Sequence, residues 1–436
     1  MGRGSVAWLR GELPKLVAAG VLAPEAAEAL RRHYGVEDTG LGRRLALALL
    51  SVLGALLVGG GIILLLAHNW DELSRGARAG LLVAILVAAQ GLAGFALLRR
   101  WTSLPWRESA GALQVGTVAA AIALVAQTYQ IPGDLVGYYR TVLLLTLPLV
   151  YLLDAASVSV LTWAGLVGMA TTWSWRGDPE VLAWWGLAAA GVPFLVLLAR
   201  REGDSWRTAL TIVTGAVALF VGGTINAGRS DWDGLWALYG LALLAIAHAL
   251  GSSGAGEGWR RRLRAPAYIG LVVLGLMLTF DWPWHAIESG LPATADSGVW
   301  ATAAVALVLG VWATLQAVHL LRLREIHLGV TSLAWVVGAL AYVLALAYLA
   351  PGARLLFDVW LAAVGITGLA EGWQSGRLVR ANAGLLALAG LAIARFFDAD
   401  VSFVVRGLAF IVVGVGFLLT NLLLIRRGRE RVEAAS

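Results

Sequence analysis

The chain has 436 residues and no cysteine, so disulfides, thiolate metal sites and cysteine nucleophiles are excluded. Charge is also scarce, because acidic and basic residues make up 14% of the sequence, against about 25% in an ordinary soluble domain. Lys15 is the only lysine among the 33 basic residues. No apolar run precedes Leu45, and the sequence therefore predicts no cleavable signal peptide.

Catalytic signatures are absent as well. The sequence has no His-x-x-x-His, Gly-x-Ser-x-Gly, P-loop or Asp-rich metal pattern. His248, Gln316 and His319 lie near predicted helix ends, and the last two share a helix face at i, i+3 spacing. Two ligand types without a carboxylate make a poor metal site. We therefore predict no catalytic residue, no metal site and no cofactor.

What the sequence does have is apolar length. Hydrophobic residues make up 59% of the chain, with a mean hydropathy of +0.78, and they gather in uninterrupted stretches. Each stretch holds about 20 residues, the length a helix needs to cross about 30 Å of hydrocarbon. None has the polar face of a soluble core helix. The predicted fold class is therefore all-α, a polytopic integral membrane bundle of about fourteen transmembrane helices.

The predicted spans begin at Leu45 and are joined by short connections, which make neighbouring helices antiparallel. An almost unbroken apolar run from Val142 to Trp173 is divided at Asp154. The spans are 45–67, 79–98, 109–127, 136–153, 156–174, 180–199, 206–226, 232–250, 266–284, 298–321, 328–349, 355–373, 381–397 and 402–425. Residues 45–425 form the predicted transmembrane domain, and residues 426–436 form a basic tail.

The basic residues predict the orientation of these spans. With a cytoplasmic N-terminus, 25 of the 33 basic residues fall in cytoplasmic segments, which also places the C-terminus in the cytoplasm. Charge lies between apolar segments, where it meets anionic headgroups, and no basic face carries interleaved aromatics. We therefore expect membrane lipids as partners and no nucleic acid.

Residues 1–44 precede the first span and are predicted to form a pair of short amphipathic helices in the cytoplasm. The first helix covers Val6–Ala19 and stops at Gly20, and Pro24 opens the second. The second helix is predicted to place Ala26, Leu30 and Tyr34 on one stripe. Such a pair is too small to fold alone, so we expect it to lie against the membrane or to bind a cytoplasmic partner.

Four stretches carry a family resemblance: GVLAPEAAEALRRHYG at 20–35, LLLAHNWDELSR at 64–75, ALVAQTYQIPGDL at 123–135 and RFFDADVSFVVRGLAFIVVGVGFLL at 395–419. They resemble bacterial predicted membrane proteins of the domain of unknown function 2157 family. The N-terminal unit of that family corresponds to about residues 5–150. Ala23 departs from the pattern, which tends to have a Ser or Thr helix cap there. The resemblance implies a multi-pass inner-membrane protein and supplies no activity or substrate.

One candidate site is the external mouth after the first span, where His68, Asn69, Trp70 and Asp71 follow one another. These residues could form a ligand or ion site in which His68 titrates near neutrality. The alternative is structural: Trp70 anchors the interface, Asn69 or Asp71 caps the next helix, and the charges are solvated.

A second candidate lies where the third span ends. Gln127, Tyr129, Gln130 and Asp134 are followed by Arg140 in the fourth span, and Pro132-Gly133 should break the helix between them. Polar groups at membrane depth need partners or water. They therefore predict either a ligand cavity or a hydrogen-bonded turn in which Asp134 pairs with Arg140.

A third group, Asp358, Arg395, Asp398, Asp400 and Arg406, gathers at the external ends of the last three spans. Arg406 lies about a turn inside the last span, where it must pair or reach water. The group predicts either ion pairs across a helical hairpin or an anion-attracting pocket. Our hypothesis joins it to the second group in one polar cavity.

Three functions fit this sequence. The first is a transport-like protein for a small or lipidic molecule, with an anionic one among the options. The second is a membrane scaffold or sensor that docks a cytoplasmic partner through residues 1–44. The third is an integral-membrane enzyme acting on a lipid-linked substrate, which ranks last because no acid pair accompanies a nucleophile or metal.

Overall fold

A computed structural model describes most of the chain as helices. The described residues are 12–13, 16–17, 20–33, 73–99, 102–172, 178–203, 205–229, 232–252, 258–285, 287 and 297–398. The chain divides into two units, Met1–Arg78 and Ala79–Ser436. The predicted spans 45–67 and 402–425 and the predicted tail 426–436 lie outside the described residues.

In the first unit, the predicted helix stop and restart are confirmed. Gly20 has φ +70°, and its N–H donates to the carbonyl of Val17 at 3.1 Å, which ends the preceding turn. Helix α1 then begins at Pro24 and covers Pro24–His33. The predicted stripe was wrong by one position, because Ala27 is buried while Ala26 is exposed. The helix pair itself stays a prediction, since only parts of the first helix are described.

In the second unit, helices follow one another with short connections, as predicted. They are α2 Arg75–Arg99, α3 Leu104–Tyr129, α4 Leu135–Leu152, α5 Ala156–Thr171, α6 Asp178–Glu202, α7 Trp206–Gly228, α8 Leu235–Ser252, α9 Gly258–Met277, α10 Trp282–His285, α11 Ser297–Arg322, α12 Ile326–Ser332, α13 Ala334–Leu346, α14 Ala350–Ser375 and α15 Leu378–Asp398. The first of them, α2, begins at Arg75, shortly before the unit boundary.

Nine of the described helices are long and apolar enough to cross a membrane, or ten if α12 and α13, bent by 41°, form one broken span. Helix α5 has 16 residues and is shorter than these spans. Helix α9 contains four arginines before Pro266 and ends at Met277, so it covers only the first part of the span predicted at 266–284. The total of fourteen spans stays a prediction, since two of them lie outside the described part of the chain.

The predicted division at Asp154 is confirmed. Helix α4 ends at Leu152, Asp154 has φ +46°, and α5 begins at Ala156. A positive φ lies outside the right-handed helical region, so the backbone at Asp154 interrupts the helix. The break before Pro132 is confirmed too, with Gln130 in the left-handed region at φ 51°.

Buried apolar side chains form separate clusters. The largest is built by α8, α9, α13 and α14, and a second one by α4, α5 and α6. Small residues allow close helix approach, as at α14 and α15, where a Cβ on Gly384 would lie 2.5 Å from the carbonyl oxygen of Gly365. Two apolar grooves lie beside α4, and the candidate sites are in these grooves.

Candidate functional site

The polar run at the end of α3 forms a helix cap. The N–H of Ile131 donates to the carbonyl of Ala126 at 2.9 Å, which closes the last turn of α3 around Gln130. Asp134 then caps α4, since its Oδ1 accepts a hydrogen bond from the N–H of Gly137 at 2.6 Å. The backbone of this turn is therefore satisfied by local bonds.

The side chains of this run make fewer hydrogen bonds than its backbone. Tyr129 is 49% exposed, and Gln127 and Gln130 are also exposed. Within the described part of the chain, none of these three side chains makes a hydrogen bond. They are available to a ligand or to headgroups at the end of α3.

Arg140 does not pair with Asp134. Asp134 is occupied by the cap of α4, and no described residue forms a hydrogen bond or ion pair with the half-buried Arg140 guanidinium. The structural alternative predicted for this turn, an Asp134–Arg140 pair, is therefore not formed.

Arg140 instead lines an apolar groove between α4 and α6, with a volume of about 350 Å³. We call it the arginine groove. Helix α4 supplies residues at a repeating helical spacing, and α6 supplies small and apolar ones opposite. The lining is Arg140, Leu144, Leu147 and Pro148 of α4 with Ala183, Gly186, Leu187 and Ala190 of α6. This volume lies in the usual range for small-molecule pockets.

Tyr151 lies next to the end of the arginine groove at Ala190. Its hydroxyl donates to the carbonyl of Ala190, and its ring meets Phe194 edge-on at 5.9 Å between centroids. Pro148 lacks an N–H, so the carbonyl of Leu144, four residues earlier, receives no helical hydrogen bond from it. The groove therefore has a charged end and an apolar body.

Asp358 and Arg395 are brought together on neighbouring helices. The Arg395 guanidinium donates to Oδ1 of Asp358 at 2.8 Å and also to the carbonyl of Thr279, just beyond α9. The same carbonyl accepts from Nε of Arg354 at 3.2 Å, and Arg354 pairs with Asp281. Arg395 and Arg140 therefore contact different helices, so the described contacts do not join the two predicted groups.

The remaining predicted site residues lie outside what the structure describes. They are His68, Asn69, Trp70 and Asp71 of the external mouth, the side chain of Asp398, and Asp400 and Arg406. Among the described residues, no group of three His, Cys, Asp or Glu side chains could hold a metal ion. His248, one of the two histidines considered above as possible metal ligands, is buried and shares a 2.9 Å hydrogen bond with Ser332.

Residues 14–159 match the family model described as predicted membrane protein (DUF2157). The family resemblance predicted from the sequence is thereby confirmed over this stretch. No curated protein and no solved structure matches the chain. The DUF2157 match includes the polar run and the α4 wall of the arginine groove, and it ends before α6.

Sequence reasoning missed a buried ion cluster around Glu108, the fifth residue of α3, inside the DUF2157 match. Its two carboxylate oxygens accept from the N–H groups of Ala156 and Ser157 at 3.0 and 2.7 Å. Oε1 also accepts from Nε of Arg207 at 2.8 Å. Arg207 is 3% exposed and also pairs with Glu202. Beside them, Arg107 pairs with Asp154 at 3.0 Å.

Helix α5 is consequently held at both ends by charges of the sign its dipole favours. Glu108 meets its N-terminal N–H groups, and Arg229 donates to the carbonyls of Ala170 and Thr172 at its C-terminal end, at 2.8 and 3.1 Å. Burial lowers the pKa of Arg229 from its ordinary value, yet an arginine stays protonated. This arrangement explains how a helix of only 16 residues is fixed among longer ones.

A similar carboxylate clamp occurs at the start of α12. Oε1 of Glu371 accepts from the N–H of His327 at 2.8 Å, and Oε2 accepts from Arg380 at 2.8 Å. Arg380 also reaches Glu325 at 3.2 Å. From the sequence alone, Arg380 served only to predict the orientation of the spans. Its contact with Glu325 joins residues 55 positions apart, and no local pattern indicates it.

Proposed function

We propose that this membrane protein binds an anionic lipid in the arginine groove as part of a transport-like function. The observation that supports this most is Arg140, a half-buried cation without a partner among the described residues, at one end of an apolar groove. An unpaired charge at a helix centre costs about 2.5–3.5 kcal/mol on lenient scales, and Arg140, the sixth residue of α4, would bear a smaller part of this cost. A phosphate or another anionic headgroup offers this guanidinium charge-assisted hydrogen bonds.

The length of the groove supports a lipid rather than a small anion. From Arg140 to Pro148, the last lining residue of α4, the helix rises by about 12 Å, at 1.5 Å per residue. That is most of the thickness of one leaflet, which is half of the roughly 30 Å of hydrocarbon. An acyl chain would lie along Leu144, Leu147 and Pro148.

The proposed orientation places the lipid in the external leaflet. If both termini are cytoplasmic in a bacterial inner membrane, α4 runs inward and Arg140 lies near the external surface. The exposed Tyr129 and Gln130 lie at the start of the same hairpin and would meet neighbouring headgroups. Pro148 inside α4 leaves one carbonyl without its helical hydrogen bond, and a bend there would support entry and exit of a lipid, which transport requires.

The test compares two lipids that differ only in headgroup charge. The protein is reconstituted with phosphatidylglycerol or phosphatidylcholine, each carrying a diazirine on the same acyl chain, and labelled peptides are mapped. We expect phosphatidylglycerol to label α4 and α6, and Arg140→Gln to reduce this labelling about tenfold, since hydrogen bonds to charged groups contribute about 1.5–3 kcal/mol. Arg140→Lys should retain part of it.

A second variant fills the groove itself. A Cβ built on Gly186 meets no described atom within 4 Å, so Gly186→Leu should occupy the groove without disturbing the core. Gly80→Leu, at a position equally open but outside the groove, is the matched control. Equal labelling by the two lipids, or unchanged labelling in Arg140→Gln, would contradict the lipid site. Unchanged movement of fluorescent phosphatidylglycerol across vesicles in Gly186→Leu would contradict the transport role alone.

A further inference from the structure

A second groove lies on the other side of α4, between α2, α3 and α4, with a volume of about 510 Å³. We call it the glutamine groove, because Gln90 of α2 and Gln114 of α3 both line it. The rest of its wall is apolar, and includes Leu86 of α2, Ile122 of α3 and Leu149 of α4. A pocket of this size with a few convergent polar groups is the usual form of a ligand site.

Gln114 is the observation that points to a ligand. It is 5% exposed, and its Oε1 has no hydrogen-bond partner among the described residues. An unpaired buried amide is costly, and such groups in membrane helices normally find a partner. By contrast, the nearby Thr117 on the same helix is satisfied, since its hydroxyl donates to the carbonyl of Leu113 at 2.7 Å.

The depth of these amides limits what the partner can be. Counted from the predicted span ends at 109 and 98, Gln114 lies about 8 Å and Gln90 about 12 Å along the helix into the span. Both therefore lie within the hydrocarbon, where a charged headgroup would be expensive. A neutral polar group is the chemistry that fits.

We propose that the glutamine groove binds a neutral, largely apolar membrane molecule carrying one hydroxyl group, of the class of the isoprenoid alcohols. The hydroxyl would donate a hydrogen bond to the orphan Oε1 of Gln114, and the apolar wall accommodates the hydrocarbon skeleton. The site lies on different helix faces from the arginine groove and does not depend on the function proposed for it.

The probe is a diazirine analogue of geranylgeraniol, compared with the matching hydrocarbon that lacks the hydroxyl. The full-length protein is reconstituted in lipid nanodiscs, illuminated and digested. We expect the alcohol to label peptides of α2 and α3 about three- to tenfold more than the hydrocarbon, the range of one net hydrogen bond. Gln114→Leu should abolish that preference, and Gly94→Leu, which projects into open space on the groove wall, should block both probes.

Two controls separate binding from structure. Thr117→Val removes a hydroxyl from the same helix and should leave labelling unchanged, as should Gly80→Leu. Gln114→Leu should unfold at the same temperature as the wild type or higher, because it removes an unpaired buried amide. Four results would each overturn the proposal. Two concern the probes: equal labelling by the alcohol and the hydrocarbon, or a preference for the alcohol that survives Gln114→Leu. The other two are crosslinking to a second protein copy instead of the probe, and marked destabilisation by Gln114→Leu.

Discussion

Replacing Arg207 with methionine tests how much the buried Glu108 cluster contributes to stability. Arg207 is 3% exposed and joins the starts of α3 and α7 to the end of α6 through Glu108 and Glu202. Removing one partner of a buried ion pair costs about 3–5 kcal/mol. Glu202 can be rehydrated, since its side chain is 28% exposed, and Glu108 keeps two backbone donors. We therefore expect the lower end, about 3 kcal/mol.

Glu108→Gln should cost a similar amount for a different reason. The amide keeps the shape of the carboxylate, but its NH₂ group would face a donor in either orientation: the N–H of Ser157 at the Oε2 position, or the N–H of Ala156 and Nε of Arg207 at the Oε1 position. The double variant should then be less destabilised than the two single effects predict, by about 1–2 kcal/mol, because the residues share one interaction.

The measurement is the free energy of unfolding in mixed micelles, with SDS as denaturant and the signal from the chain's tryptophans. Arg99→Met removes an exposed arginine at the end of α2 and should change stability by less than about 0.5 kcal/mol. A loss below about 1 kcal/mol in Arg207→Met, or strict additivity in the double variant, would refute the view that this cluster fixes the helices.

Two further predictions follow from the fold. Reporter fusions after Arg201 and Arg264 should read cytoplasmic and a fusion near Asp233 periplasmic, because basic residues concentrate on the cytoplasmic side; a reversal at any one would contradict the proposed orientation. Gly222→Leu should destabilise the protein by about 2 kcal/mol or more in the same SDS titration, because its Cβ would lie 2.3 Å from the ring of Trp184; stability equal to the wild type would contradict that packing.

Local signals in the sequence were sufficient for three helix boundaries. Gly20 supplies the positive φ at which the first helix stops, Pro132 ends α3, and Asp154 divides an apolar run that composition alone would have left continuous. Each of these depends on neighbouring residues, so a single sequence contains the information. The stripe on α1 was missed by one residue, because two short helical turns do not define a face.

The candidate site was predicted only in part. Arg140 and the polar run lie in one hairpin, but Asp134 caps α4 and does not form the pair with Arg140 that one of the two alternatives predicted. The Glu108–Arg207 contact joins residues 99 positions apart, and no local pattern indicates it. The arginine groove likewise needs α6, whose facing residues, Ala183 and Gly186 among them, carry no signal beyond small size.

Helix α4 is a partition shared by both grooves. Leu144 and Pro148 face one groove, while Leu145 and Leu149, each the next residue along, face the other. Any displacement of this helix that widens one groove narrows its neighbour. Occupants of the two grooves would therefore be thermodynamically linked, each changing the affinity for the other by the same factor. A bend at Pro148 would make such linkage directional, acting on the Tyr151 half of α4 while Arg140 stays in place.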